Sequence, residues 1–214
     1  MTRGSTTSAG AGDPGAVLTP AGNVAGPLDP SVPPPPVGVP VPEGHVRIGV
    51  AIPVPEPYAA SLVRARLHAD DPLARTIPPH ITLLPPTDIP EGALPDVQDH
   101  LASIAAEQRP FVVELQGTDT FRPISPVVFI QVSTGIDACT ALQAAVNDGP
   151  VSQRLRFPFH PHVTLAHAVE ESALDEAADA MADFDAVFAV AHFCLYEHGE
   201  DGIWRDVSTY ALTS

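Results

Sequence analysis

Residues 78–87 read PPHITLLPPT, and residues 161–168 read PHVTLAHA. Each stretch contains Pro-His, a β-branched residue, Thr and Leu in that order. On an extended strand, side chains alternate between faces with period two. His80 and Thr82 therefore share one face, with Ile81 and Leu83 on the other. His162 and Thr164 share one face, with Val163 and Leu165 opposite. Each copy anchors its strand with two apolar side chains and shows an imidazole and a hydroxyl to the other side.

The surroundings repeat as well. Residues 45–54 (HVRIGVAIPV) alternate Val46, Ile48, Val50 and Ile52 and read as a strand. Helical spacing brings together Ala59, Leu62, Val63 and Leu67, and after the first motif Leu94, Val97, Leu101 and Ile104, with Pro95 near the helix start. Strands follow at 110–118 and, as a continuous apolar run, at 126–133. The order then begins again. A helix over 135–148 carries Ile136, Cys139, Leu142 and Val146. The second motif is followed by a helix over 172–184, with Ser172 as N-cap and Asp175 in the capping-box position. A single strand over 185–197, a GEDG turn and a strand over 203–212 complete the chain. Both halves run helix, His-x-Thr strand, helix, strand, strand. The expected division is two pseudo-repeats, about 46–133 and 134–212, with the leading strand at 46–52 lacking a counterpart. Around a pseudo-twofold axis, two His and two Thr would meet across a central groove.

Composition narrows the chemistry. The 214 residues suffice for one core or two small lobes, and 44% are apolar. The net charge of −16 argues against binding long duplex nucleic acid, which runs on clustered basic side chains. All ten basic residues are Arg, so a Walker lysine, a Schiff-base lysine and a covalent lysyl-adenylate are excluded. A small anion remains accessible to a few local Arg and His. Cys139 and Cys194 fit no metal spacing and sit among apolar residues, as expected of reduced core thiols. With no apolar run of membrane length and no apolar signal core, a cytoplasmic protein that does not engage a membrane is expected. Its expected state is a monomer. Residues 1–43 are rich in Gly, Ala, Ser, Thr and Pro, include Pro33–Pro36 and lack aromatics, so a disordered tail is expected there, with the folded domain over 44–214.

The paired motif suits displacement at phosphorus. An in-line reaction needs a base on one side and an acid on the other, and histidine titrates near neutrality. Threonine hydroxyls can donate to the non-bridging oxygens, where charge builds. A metal reading competes: His160, His162 and His80 could supply three zinc ligands. It leaves the twin threonines without a role. His45, His68, His100, His192 and His198 read as packing or surface residues.

Two H-Φ-T-Φ motifs in repeated surroundings resemble the two-histidine (2H) phosphoesterase superfamily, and within it the bacterial group named for 2′-5′ RNA ligase and cyclic phosphodiesterase activity. The resemblance covers about residues 45–212. It implies an α+β, bilobal, duplicated fold in which two antiparallel-type sheets flank a central groove with helices outside. It also implies metal-free action, without a cofactor, on 2′,3′-cyclic phosphates or 2′-5′ linkages of a small nucleotide or an RNA terminus. His80 and His162 would be the general acid and base, and Thr82 and Thr164 would bind phosphate. A binding module with little catalysis, or 2′-5′ ligation as the reverse reaction, are the alternatives. Where relatives often carry Arg just after the second motif, this chain has His167. Arg154, Arg156 and Arg122 are candidates to supply charge instead. Phe121, Phe159 and Trp204 are candidates to stack a base.

Overall fold

The computed structural model describes residues 1, 29–32 and 38–213. The tail expected over 1–43 lies outside the described residues apart from Met1, 29–32 and 38–43. The element order is β1 (His45–Pro53), α1 (Tyr58–His68), β2 (His80–Pro90), α2 (Leu94–Glu107), β3 (Phe111–Thr120), β4 (Val127–Thr134), α3 (Ile136–Asn147), β5 (His162–His167), α4 (Glu171–Ala180), β6 (Asp185–Val190), β7 (His192–His198) and β8 (Trp204–Ala211).

All eight strands join one sheet, in the order β6-β3-β4-β5-β2-β1-β7-β8, and every pair is antiparallel. The fold class is α+β, with four α-helices among the described residues. The expectation of two sheets is corrected. β2 and β5 are hydrogen-bonded at Ile81 and Val163, and this pairing fuses what would otherwise be two four-stranded sheets. The sheet also curls. β6 and β7 are separated only by Ala191, yet they lie at nearly opposite ends of the strand order. Only a curved sheet can bring those ends within one residue of chain. The strand expected over 185–197 is thus two strands.

The sequential halves are not the halves of the sheet. β3 and β4, from the first expected repeat, pair with β6 and β5 from the second. The bilobal division into 46–133 and 134–212 is therefore not how the sheet is built. The leading strand does have a positional counterpart. β1 pairs with β2 and β4 pairs with β5, each joined to its partner through a helix. His80 faces Pro53 on β1, and His162 faces Gln131 on β4.

Local chemistry explains several boundaries. β2 runs past the expected HITLL segment through Pro85 and Pro86, which have no N–H to give. The β1–β2 register shifts there, between Val50↔Leu84 and Ile48↔Thr87. Gly135 takes φ 91° before α3, and a Cβ there would lie 2.5 Å from the Val112 carbonyl oxygen, so only glycine fits the turn. α4 starts at Glu171 with no side-chain cap, so the Ser172 capping box does not form. Glu171 and Asp175, one turn apart, hold Arg122 instead.

The helices cover one face of the sheet. α1 packs on α4 and β5, and α2 packs on α3 and β8. Between helices and sheet lies a continuous core that includes Leu62, Ile81, Leu83, Val97, Leu101, Leu142, Val146, Val163, Leu165 and Leu174. Cys139 and Cys194 are both free and buried. No helix among the described residues is long and apolar enough to cross a membrane.

Candidate functional site

The β2–β5 pairing builds the site. Ile81 and Val163 face each other and point into the core, both fully buried. Residues one step away on each strand point the other way. In this antiparallel register His80 stands beside Thr164, and Thr82 beside His162. The four side chains form a rectangle on the open face of the sheet, with the histidines at diagonal corners. Diagonal neighbours across antiparallel strands have Cβ atoms about 7–8 Å apart. A tetrahedral phosphoryl group fits between two imidazoles so placed.

Both rings are oriented by a backbone carbonyl two residues upstream, across a proline. His80 Nδ1 donates to the Pro78 carbonyl at 2.7 Å, and His162 Nδ1 donates to the His160 carbonyl at 2.7 Å. A carbonyl only accepts, so the proton of the neutral ring sits on Nδ1 and Nε2 is left as the acceptor. The Thr82 hydroxyl donates to His80 Nε2 at 3.1 Å. Burial pushes the His162 pKa down to about 4, helped by the charges of His160 and His80 and opposed by the hydrogen bond to His160. His80 is also lowered, first by burial and then by the Arg66 charge, against the raising effect of its Pro78 bond. Burial thus favours the neutral ring at both histidines.

A β-bulge adds a further residue to this face. The β4–β5 register shifts by one between Phe129↔Thr164 and Val128↔Ala166, so β5 carries one extra residue. Strict alternation would turn His167 away from Thr164. With the bulge, His167 faces Val127, two positions along β4 from Phe129 and on the same face. His167 accordingly lines a cavity of about 150 Å³ with His80, Thr164, Arg66 and Asp71.

On the other flank of His80 is an apolar cleft of about 140 Å³, lined by His80, Thr82, Ile77, Pro78, Tyr196 and Trp204 among others. Trp204 lies over Gly49, where a Cβ would come within 3.2 Å of the indole, so the bare glycine makes room for the ring. Such a wall suits the face of a nucleobase.

The other candidates are distributed unevenly. Phe121 packs edge-on to His162, ring centroids 5.0 Å apart, and against Phe129 at 4.3 Å, so it walls the second histidine. Phe159 is half-buried and packs on the core. Arg122 is not in the groove: Glu171 and Asp175 bind it and raise its pKa. Arg154 is paired with Asp29 of the N-terminal segment, whose N–H also donates to the Arg156 carbonyl. Arg156 lies over the Phe157 ring, and its Nε is buried without a partner among the described residues. His160 and His162 stack with centroids 6.2 Å apart, and among the described residues no three His, Cys, Asp or Glu converge as a metal site. Arg66, Asp71, Gln131 and Tyr196 were not singled out in the sequence. Of these, only Arg66 carried a signal, as one of ten Arg in a lysine-free chain.

Comparisons with known proteins give the family and the fold. The sequence profile of the 2′-5′ RNA ligase superfamily matches residues 53–202. A protein of Oceanobacillus iheyensis, named provisionally as a phosphoesterase, is 27% identical over 172 residues, covering 78% of this chain and 98% of its own. One from Bacillus cytotoxicus, named likewise, is 29% identical over 147 residues, covering 66% and 83%. Among solved structures, a Thermus thermophilus protein superposes with TM-score 0.55 at 23% identity, covering 78% of this chain and 97% of that one. Escherichia coli LigT complexed with 3′-AMP gives TM-score 0.53 at 19% identity, covering 79% and 99%.

Proposed function

This chain belongs to the 2′-5′ RNA ligase superfamily, and from that premise we propose that it is a metal-independent phosphodiesterase acting on a 2′,3′-cyclic phosphate or a 2′-5′ linkage of a small nucleotide or RNA end. The observation that carries the reading is the antiparallel pairing of Ile81 with Val163, from which the rectangle of two imidazoles and two hydroxyls follows. These four side chains supply every group that displacement at phosphorus calls for. One histidine, neutral, takes a proton from water as the water oxygen bonds to phosphorus. The other, protonated, gives its proton to the departing ribose oxygen as that P–O bond breaks. Thr82 and Thr164 donate to the non-bridging oxygens, whose charge grows in the transition state.

The free site favours neutral rings, so the monoanionic phosphodiester has a second role. Its charge raises both histidine pKa values on binding and recruits the proton that the acid needs. The apolar cleft beside His80 would hold the base, with Trp204 against its face. The 3′-AMP bound by LigT supports a ligand of this size. His167 stands where related chains often carry Arg after the second motif, on the same cavity as His80 and Thr164.

The test is hydrolysis of 2′,3′-cyclic mononucleotides in excess EDTA, with wild type beside His80→Ala and His162→Ala. Wild type alone should turn over, and each variant should lose about 10²–10⁴-fold, the range of acid–base assistance. Normal turnover by either folded variant sinks the reading. Ligand-induced thermal stabilisation without product would point to a binding module instead.

A further inference from the structure

If His80 is to act as acid or base, its ring must be held with Nε2 toward the groove. The holding atom is the Pro78 carbonyl oxygen, in the loop between α1 and β2. Pro78 and Pro79 have no N–H to give. Around them the backbone is held by Ile77 N–H to the Leu73 carbonyl at 3.1 Å, Trp204 N–H to the Thr76 carbonyl at 3.2 Å and Val54 N–H to the Pro79 carbonyl at 3.1 Å. α1 adds a side-chain brace at the Ile77 carbonyl. Arg66, only 4% exposed, donates Nη1 to the Ile77 carbonyl at 2.7 Å and Nε to the Asp71 carboxylate at 2.9 Å. Asp71, 5% exposed, accepts the Leu73 N–H at 2.9 Å on its other oxygen, and its own N–H donates to the Arg66 carbonyl at 3.0 Å. One buried ion pair thus ties both ends of the loop to the helix. Buried ion pairs cost desolvation and are often replaceable by apolar side chains without loss of stability. Packing alone therefore gives a weak reason for this pair. It lines the same cavity as His80, Thr164 and His167.

We propose that Arg66, locked by Asp71, is the positioning residue of His80: it fixes the Ile77–Pro78 segment so that the Pro78 carbonyl holds Nδ1–H and Nε2 is presented to the groove. The consequence for rate rests on the phosphodiesterase reading; the ring geometry does not. The charged and titratable groups around His80 are Arg66 on α1, Asp71 in the loop, His162 and His167 on β5, and Tyr196 on β7. The Arg66 charge also opposes imidazolium at His80. His162 provides an internal control, because its anchor, the His160 carbonyl, lies in a different loop.

The experiment reads tautomer and titration of both rings by ¹⁵N NMR of the full chain, in wild type, Arg66→Met and Asp71→Asn, alongside kcat and KM on a 2′,3′-cyclic mononucleotide. Wild-type His80 should carry its proton on Nδ1. In Arg66→Met its tautomers should mix, while His162 keeps its tautomer. With the ring misaligned, kcat should fall about 10- to 100-fold with KM within about twofold. If Arg66→Met does not fold, the near-isosteric Asp71→Asn is read by the same signals. An unchanged His80 in a folded variant overturns the proposal. So do equal changes at His80 and His162, or a wild-type His80 protonated on Nε2. Absence of wild-type turnover would count against the cyclic-phosphate reading, and the ring tautomers would still decide this one.

Discussion

The two His-x-Thr strands carry nearly the same residues and stand in different company. His80 sits between an apolar cleft and a buried ion pair, with Thr82 bonded to its Nε2. His162 sits among rings: Phe121 and Phe129 lie against it, and His160 stacks beside it. Both are anchored through Nδ1 to a carbonyl two residues back, so orientation is the shared feature. What differs is the cause of their lowered basicity. At His162 it is burial plus neighbouring imidazoles, whereas at His80 it is burial plus a fixed guanidinium. A repeated motif supplies a pair of like groups, and the walls around each decide which proton it holds. An acid and a base can thus be made from the same side chain.

The largest expected effect is from the histidines themselves. His80→Ala and His162→Ala should each remove about 10²–10⁴ of the rate, and a loss confined to one of them would break the equivalence of the two strands. Next come the hydroxyls. Thr82→Val and Thr164→Val should each lower kcat by about 10²-fold, as for a lost oxyanion donor, with kcat measured at saturating cyclic nucleotide. A smaller and one-sided effect is expected at the cleft. Trp204→Ala should raise KM by roughly 5- to 100-fold for a base-bearing substrate, the worth of one stacked base, and leave a ribose cyclic phosphate without a base unaffected.

The smallest effect is the most informative about roles. Phe121→Ala opens one wall of His162, so the pKa of about 4 should rise toward 6.5, by about one unit. In the kcat/KM profile only the limb set by His162 should move upward. Movement of the basic limb makes His162 the acid, and movement of the acidic limb makes it the base. Stability gives the matching sign. A folded-state pKa below the unfolded value means the unfolded chain binds more protons between about 4 and 6.5. Folding stability is therefore lost as pH falls through that window. Thermal melts of Phe121→Ala should show a shallower loss there than wild type.

Much of the site was legible in the sequence because it depends on short-range geometry. Period-two alternation puts His80 with Thr82 and His162 with Thr164, and the apolar residues between them mark the buried face. The four helices and most strands follow from the spacing of residues such as Leu62, Val97, Leu142 and Leu174. Other features were not legible. Arg122 stood beside a turn and looked available, yet two carboxylates of α4, about fifty residues on, claim it. Residues 185–197 alternated like one strand, yet Ala191 divides them between opposite ends of the sheet. The apolar pattern is the same for a strand that continues and for one that crosses between sheet ends.

What the sequence by itself determined is therefore the chemistry on offer: two identical His-Thr faces, no lysine, an acidic surface and amphipathic elements to carry them. Tertiary structure alone decided how those groups are used. The Ile81–Val163 pairing fuses one curled sheet, the bulge in β5 turns His167 toward the groove, and the Arg66–Asp71 pair reaches from α1 to the loop behind His80. The physical reason is range. Alternation and propensity act over a few residues of one segment, whereas strand order, register shifts and burial of charge arise only when distant segments exclude water from each other.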